Sequence, residues 1–141
     1  MTSKVLLLSI RPKFAEKIFN GSKKIELRRI RPNLSENDIV VVYVSSPIKQ
    51  IQGTFTVEKI IEKPLNELWP LVQYDAGISK KEFDEYFTGV DYGYGIYIRD
   101  IANNYQPIDL CEIRKQWGGF NPPQSYRYLS QSELNLFYSF T

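Results

Sequence analysis

The sequence predicts an α+β fold, and three observations carry that expectation. Strand-length apolar or β-branched runs lie at 5–10, 39–45 and 50–61. Strands come both in runs and beside helical stripes, which is the α+β order. Only one short crossover, at 12–20, is available to join parallel strands, too few for a doubly wound sheet. With 141 residues the chain is long enough for one domain with its own core, and 1–141 is read as that domain.

Each element follows from a local pattern. The run at 5–10 is apolar apart from Ser9, as suits a central strand. Pro12 suits the first turn of a helix, where its missing N–H has no partner to lose. Phe14, Ala15, Ile18 and Phe19 then form one helical stripe, with Lys13, Glu16 and Lys17 facing out. Asn20 and Gly21 end that helix, and a strand follows over 24–29. Residues 31–38 read as a polar loop. The strand at 39–45 ends at Pro47. The strand at 50–61 carries Gly53, a place for a bulge or a close backbone approach. A helix follows from Pro64 to Val72, and Pro70 within it is expected to break or kink it. Ser79 and Glu82 form a capping box that opens a helix with Phe83, Tyr86 and Phe87 on one face, ended by Gly89. A strand is expected over 92–101 and a short edge strand over 107–110. Residues 112–117 read as a short helix ended by Gly118-Gly119. Ser130 and Glu133 form a second capping box, opening a helix with Leu134, Phe137 and Tyr138 on its apolar face. No repeat, linker or low-complexity segment is present.

Composition removes several classes of function. The chain has no histidine and one cysteine, so a Cys/His zinc site or a Cys–His catalytic pair cannot be built. No metal and no cofactor are expected. The lone Cys111 forms no internal disulfide and fits the cytosol. No apolar run is long enough for a membrane span or a signal peptide, so a cytoplasmic location without membrane contact is expected. Net charge is +2 but uneven. Residues 1–33 hold nine basic and two acidic side chains, net +7, which leaves −5 for the remainder. That asymmetry points to an anionic partner, with nucleic acid first.

Residues 21–29, Gly-Ser-Lys-Lys-Ile-Glu-Leu-Arg-Arg, concentrate the charge. Strand alternation turns Ile25 and Leu27 inward and puts Lys24, Glu26 and Arg28 together on the other face, with Lys23 in the turn before. A solvated strand face with a cross-strand ion pair is the plain reading. A carboxylate held between cations at a binding cleft is the functional one.

Residues 9–29 resemble the N-terminal signature of the ASCH family, in which a helix leads into a Gly-x-Lys-x-x-Glu turn. Gly21, Lys23 and Glu26 match it in order and spacing. Val-Tyr-Val-Ser-Ser-Pro at 42–47, followed by Ile-Gln-Gly-Thr-Phe at 51–55, resembles the family's next two strands. Pro-Pro-Gln-Ser-Tyr at 122–126 is a weaker third match. The resemblance implies a small mixed PUA-like β-barrel with flanking helices. Residues 64–89 would then be a helical insertion that covers an open barrel edge or acts as a lid.

Three functions are weighed on these residues. The first is binding of RNA or a nucleobase, with or without a regulatory role. Lys23, Arg28 and Arg29 would meet phosphate or base oxygens. Glu26 would orient Lys23 or read a base edge. Tyr43 and Ser45, on one strand face, would line the cleft with Ser125. Tyr43, Tyr97, Trp117, Tyr126 and Tyr128 are candidates to stack on bases, each with core packing as its alternative. Trp69 is read as core. The second function is an enzyme at the same cleft, using Lys23 and Glu26. Some ASCH proteins remove the acetyl group of acetylated cytidine, and another group has been described as cutting RNA. In the deacetylating group the turn reads Gly-x-Lys-Thr-x-Thr-x-Arg. Gly21, Lys23 and Arg28 match, but Lys24 and Glu26 stand where that group has threonines. A carboxylate does not replace a hydroxyl nucleophile in acyl transfer. The third function is a module whose basic face binds an acidic protein.

Overall fold

The computed structural model describes residues 4–138, with the side chains of all of these except 104, 105 and 138. The elements run β1 (Val5–Ile10), α1 (Pro12–Phe19), β2 (Ile25–Arg28), β3 (Ile39–Val44), β4 (Gln50–Pro64) and α2 (Leu65–Val72). They continue α3 (Lys80–Tyr86), β5 (Tyr92–Asp109), α4 (Leu110–Gln116), β6 (Tyr126–Tyr128) and α5 (Gln131–Tyr138). The α+β class is as expected from the sequence.

All six strands form one sheet in the order β2-β5-β4-β3-β1-β6. β1 and β3 run parallel, and the other neighbours are antiparallel. The expected barrel is corrected here: the sheet is a half-barrel, with β2 and β6 as free edges. Closure needs continuous pairing between the two edges. β2 is four residues long and β6 three. The Arg28 guanidinium spans the gap instead, donating from Nη2 to the Ser9 carbonyl at 3.2 Å and from Nη1 to Ser125 Oγ at 3.4 Å.

Three apolar clusters hold the sheet. Leu6, Leu8, Val40, Val42, Phe55 and Ile96 pack with α1 through Ala15 and Ile18. Leu7, Val41, Ile51, Ile108, Ile113 and Phe120 pack on the opposite face of β1 and β3. Covered on both faces, these two strands are apolar apart from Ser9 and the Tyr43 hydroxyl. Ile25 and Leu27 meet Leu68, Val72, Phe83 and Phe87 of α2 and α3 in the third cluster.

Several elements differ from expectation. β5 is one strand that includes 107–110 up to Asp109, with irregular register against β4 that absorbs the polar stretch around Asn103. β4 runs three residues further, to Pro64. Pro70 lies inside α2 without ending it, since Leu68 and Val72 on either side are fully buried. β6 has no counterpart in the sequence reading and is set by its pairing with β1. Both capping boxes form: Ser79 and Glu82 exchange bonds of 3.0 and 3.1 Å, and Ser130 and Glu133 bonds of 2.9 and 3.2 Å. The expected contribution of the Tyr138 side chain to α5 lies outside the described residues.

Candidate functional site

The cleft lies where the half-barrel fails to close. Parallel strands β1 and β3 both end at it, through Ile10, Arg11 and Ser45, and β2 supplies Glu26 and Arg28. Its volume is about 530 Å³. That lies within the range of small-molecule sites.

At its base sits a buried charged trio. Lys23 is 2% exposed and Glu26 7%. Lys23 Nζ lies 3.4 Å from Glu26 Oε1, and Arg28 Nη2 donates to Glu26 Oε2 at 2.8 Å. Lys23 also donates to the Ala76 carbonyl and stands 5.3 Å from the centre of the Phe14 ring. Burial lowers the Lys23 pKa from its usual 10.5, and the Glu26 charge opposes that shift. The Arg28 Nε–H is buried and has no hydrogen-bond partner among the described residues. The plain reading of a solvated strand face is therefore set aside by burial.

The chain between α2 and α3 fixes this geometry. Lys24 N and Ile25 N both donate to the Asp75 carbonyl, at 2.7 and 3.1 Å. Lys17 Nζ donates to the Gly77 carbonyl at 2.7 Å. Gly77 has φ +68°, and a Cβ there would stand 3.1 Å from Lys23 Cβ. α3 forms a wall of the cleft with Glu82, Glu85 and Tyr86. Lys13 pairs with Glu82 at 2.8 Å, and that hydrogen bond with the Ser79 cap holds the Glu82 pKa down at about 2. The Tyr86 hydroxyl donates to the Leu27 carbonyl at 3.3 Å, and burial raises its pKa.

Of the residues singled out in the sequence, Lys23, Glu26, Arg28 and Ser45 come together at the cleft, and Ser125 meets Arg28 at its edge. The others lie elsewhere. Tyr43 is 3% exposed in the second cluster, because β3 ends at Val44 and the chain turns at Ser45. Strand alternation therefore does not carry Tyr43 into the cleft beside Ser45. Arg29 is exposed beside Gly89. Tyr97 packs on the third cluster with Lys59 Nζ 4.5 Å from its ring centre. Trp117 lies 4.8 Å from Phe120 between ring centres and stacks under the Arg127 guanidinium. Tyr126 packs on the first cluster, and the Tyr128 hydroxyl bonds the Asn33 carbonyl. The sequence reading missed Arg11, Gln124 and the α3 wall. Glu82, Glu85 and Tyr86 have the i, i+3, i+4 spacing of one helix face, a signal that was present. No cluster among the described residues could hold a metal ion, and no helix there is long and apolar enough to cross a membrane.

The ASCH domain family model matches residues 8–122, which include the cleft residues from Ser9 to Tyr86. The chain belongs to the ASCH domain family. An ASCH domain-containing ribonuclease of Zymomonas mobilis is 29% identical over 138 residues, 98% of this chain and 93% of that protein. The crystal structure of ASCH from Zymomonas mobilis superposes with a TM-score of 0.92, covering 98% of this chain and 96% of that one at 29% identity. Human THYN1, solved in complex with 5-methylcytosine-containing DNA, shares the fold at 16% identity and a TM-score of 0.58, covering 98% of this chain and 97% of that one. The ASCH chain thus has the PUA-like fold with its sheet left open at one seam.

Proposed function

We propose that this ASCH chain binds single-stranded RNA and seats a nucleotide in the cleft at the open seam. The observation that carries the reading is the buried trio of Lys23, Glu26 and Arg28 at the base of a nucleotide-sized space. Buried charges are expensive to desolvate and add little to stability, so their retention at a cleft argues for a ligand. The Arg28 fork, with its unpartnered Nε–H, and Arg11 suit phosphate oxygens. Lys23 donates to a base carbonyl or a phosphate, and Glu26 fixes the direction of both cations. Arg29 and Arg31 extend the positive charge beyond the cleft. Ser45 and Ser125 add hydroxyls at its rim. The net +7 of the first 33 residues supports an anionic partner.

The test is fluorescence anisotropy with a labelled single-stranded RNA octamer across a salt series. Binding should weaken steeply with salt, and Lys23→Ala and Arg28→Ala should each reduce affinity about tenfold. Salt-independent binding, or binding that both variants leave intact, refutes the reading.

A second reading, cleavage of the bound strand, is favoured by one further observation: the ribonuclease relative matches nearly the whole chain. The sequence has no histidine, and burial lowers the pKa of Lys23 at the base of the cleft, against the opposing charge of Glu26. In that reading the neutral Lys23 amine takes the proton of a ribose 2′-hydroxyl. The 2′-oxygen bonds to phosphorus and the P–O5′ bond breaks. Solvent protonates the leaving oxygen, and Arg28 balances the charge building on phosphorus. Incubation of the octamer with native protein should yield cyclic-phosphate fragments by mass spectrometry, and Lys23→Ala should abolish them. An intact octamer after prolonged incubation leaves the binding reading alone in place.

A further inference from the structure

Ser9 is the one polar residue of β1. Strand alternation gives it the parity of Val5 and Leu7, which pack in the second cluster. A half-buried hydroxyl in that apolar row needs a partner, and Ser9 Oγ donates to the Pro123 carbonyl at 2.6 Å. The facing segment explains why a donor stands there. Pro122 and Pro123 have no N–H, so neither can donate to extend the pairing of β6 with β1. Before Tyr126 the chain is held to β1 through Ser9 instead. The Ser9 N–H donates to the Ser125 carbonyl at 3.0 Å, and the hydroxyl reaches two residues further back to Pro123.

Ser9 also meets the opposite edge of the seam. Its carbonyl accepts from Arg28 Nη2 at 3.2 Å, and Ser125 Oγ accepts from Arg28 Nη1 at 3.4 Å. All three polar groups of this one residue therefore serve the seam. A guanidinium is planar, so bonds at both Nη groups fix its plane and with it the direction of its Nε–H. Nη2 is held twice, by the Ser9 carbonyl and by Glu26, whereas Nη1 depends on Ser125. If residues 123–125 shift, the fork pivots about Nη2. The Nε–H is the buried, unpartnered donor that the RNA reading gives to a phosphate oxygen.

We propose that Ser9 is a positioning residue for RNA binding. Its hydroxyl holds residues 123–125 against the end of β1, and through Ser125 it fixes the Arg28 guanidinium for a phosphate. The inference rests on the RNA reading above.

The experiment is a double-mutant cycle read by anisotropy of the labelled RNA octamer, with native protein, Ser9→Ala, Arg28→Ala and the double variant. Ser9→Ala should lower affinity about fivefold, the factor that one hydrogen bond carries. In the Arg28→Ala background the same change should alter affinity by less than about twofold, because no guanidinium is left to position. The urea midpoint should fall in both backgrounds, since the Pro123 carbonyl loses its donor in each. Ser9→Thr keeps the hydroxyl and should stay within about twofold of native affinity. Should its added methyl group prevent folding, the cycle decides on the alanine variants alone. An affinity loss of the same factor in both backgrounds overturns the inference, because a merely structural role does not depend on Arg28. RNA binding that Arg28→Ala weakens and Ser9→Ala leaves intact overturns it too, and the RNA reading stands. Native protein that fails to bind the octamer at low salt overturns both.

Discussion

Glu26→Gln is the substitution that most directly separates the buried trio from an ordinary surface ion pair. The change keeps volume and removes one negative charge. Lys23 Nζ at 3.4 Å and Arg28 Nη2 at 2.8 Å then share no anion, although their side chains are only 2% and 14% exposed. Removing one partner of a buried pair costs about 3–5 kcal/mol. The cleft admits water on one side and the amide oxygen still accepts one bond, so a loss of about 2–3 kcal/mol is expected at pH 7. With a urea m-value of about 1–3 kcal/mol/M, the midpoint should fall by roughly 1 M or more. Trp69 and Trp117 provide the fluorescence signal. The pH dependence gives an internal check. The folded Lys23 pKa lies below its unfolded value near 10.5, so between the two the unfolded chain binds more protons. Stability therefore rises as pH increases through that window, and the penalty on Lys23 is complete below its folded pKa. Loss of Glu26 removes the charge that raises the folded value and widens the window. The stability gap between variant and native protein should therefore narrow as pH rises toward 10.5. A variant within about 0.5 kcal/mol of native protein at pH 7, a typical surface result, would refute the argument that these charges are buried and interdependent.

The other predictions follow from neighbouring contacts. Lys23→Met replaces the buried cation with an apolar chain of similar length while Glu26 keeps Arg28, so urea midpoints should shift by less than about 1 kcal/mol equivalent, whereas RNA affinity should fall about tenfold. Arg28→Lys keeps the charge but cannot reach Ser9, Ser125 and Glu26 together, and should lower affinity in the same anisotropy assay nearly as far as Arg28→Ala does. Gly53→Ala would put a Cβ 2.2 Å from the Ala102 carbonyl oxygen and 2.8 Å from Phe19, and should cost more than about 2 kcal/mol or abolish folding, read by circular dichroism. Lys13→Ala removes a largely exposed ion pair with Glu82 and should change stability by less than about 0.5 kcal/mol in urea.

What the sequence made legible was local. The capping boxes at Ser79 and Ser130 depend on residues three apart, and both form as their pattern requires. The alternation of Ile25 and Leu27 with Glu26 and Arg28 placed two side chains in the core and two toward the cleft. Gly21, with φ +85°, turns the chain between α1 and β2. What stayed hidden depends on distant partners. The open seam is crossed by a contact from Arg28 to Ser125, ninety-seven residues away. The continuity of β5 across its polar stretch is set by pairing with β4, since Asn and Pro near 103–107 argue locally for a break. Tyr43 has the strand parity of Ser45, but the turn after Val44 separates their surroundings. The α3 wall was misread for another reason. Phe83 and Phe87 drew Tyr86 into the buried face, whereas its hydroxyl needed the Leu27 carbonyl and so kept the ring at the cleft edge.

The seam itself links fold and site. A closed barrel would pair β2 with the opposite edge through backbone N–H and C=O groups and leave no space between them. Here one guanidinium does the spanning, and a guanidinium at a seam needs a carboxylate to offset its charge. Glu26 supplies it, two residues away on the same strand face. One carboxylate between two edges also draws in Lys23, whose amine is held by the Ala76 carbonyl of the α2–α3 connection. The backbone of that connection is in turn fastened to β2 through Asp75. A ligand that engages Arg28 therefore competes with the contacts that hold the seam, and one that adds to them through the free Nε–H tightens it. RNA binding should accordingly raise the urea midpoint of native protein and leave that of Arg28→Ala nearly unchanged. That difference separates a ligand seated in the seam from one held only by the surface arginines.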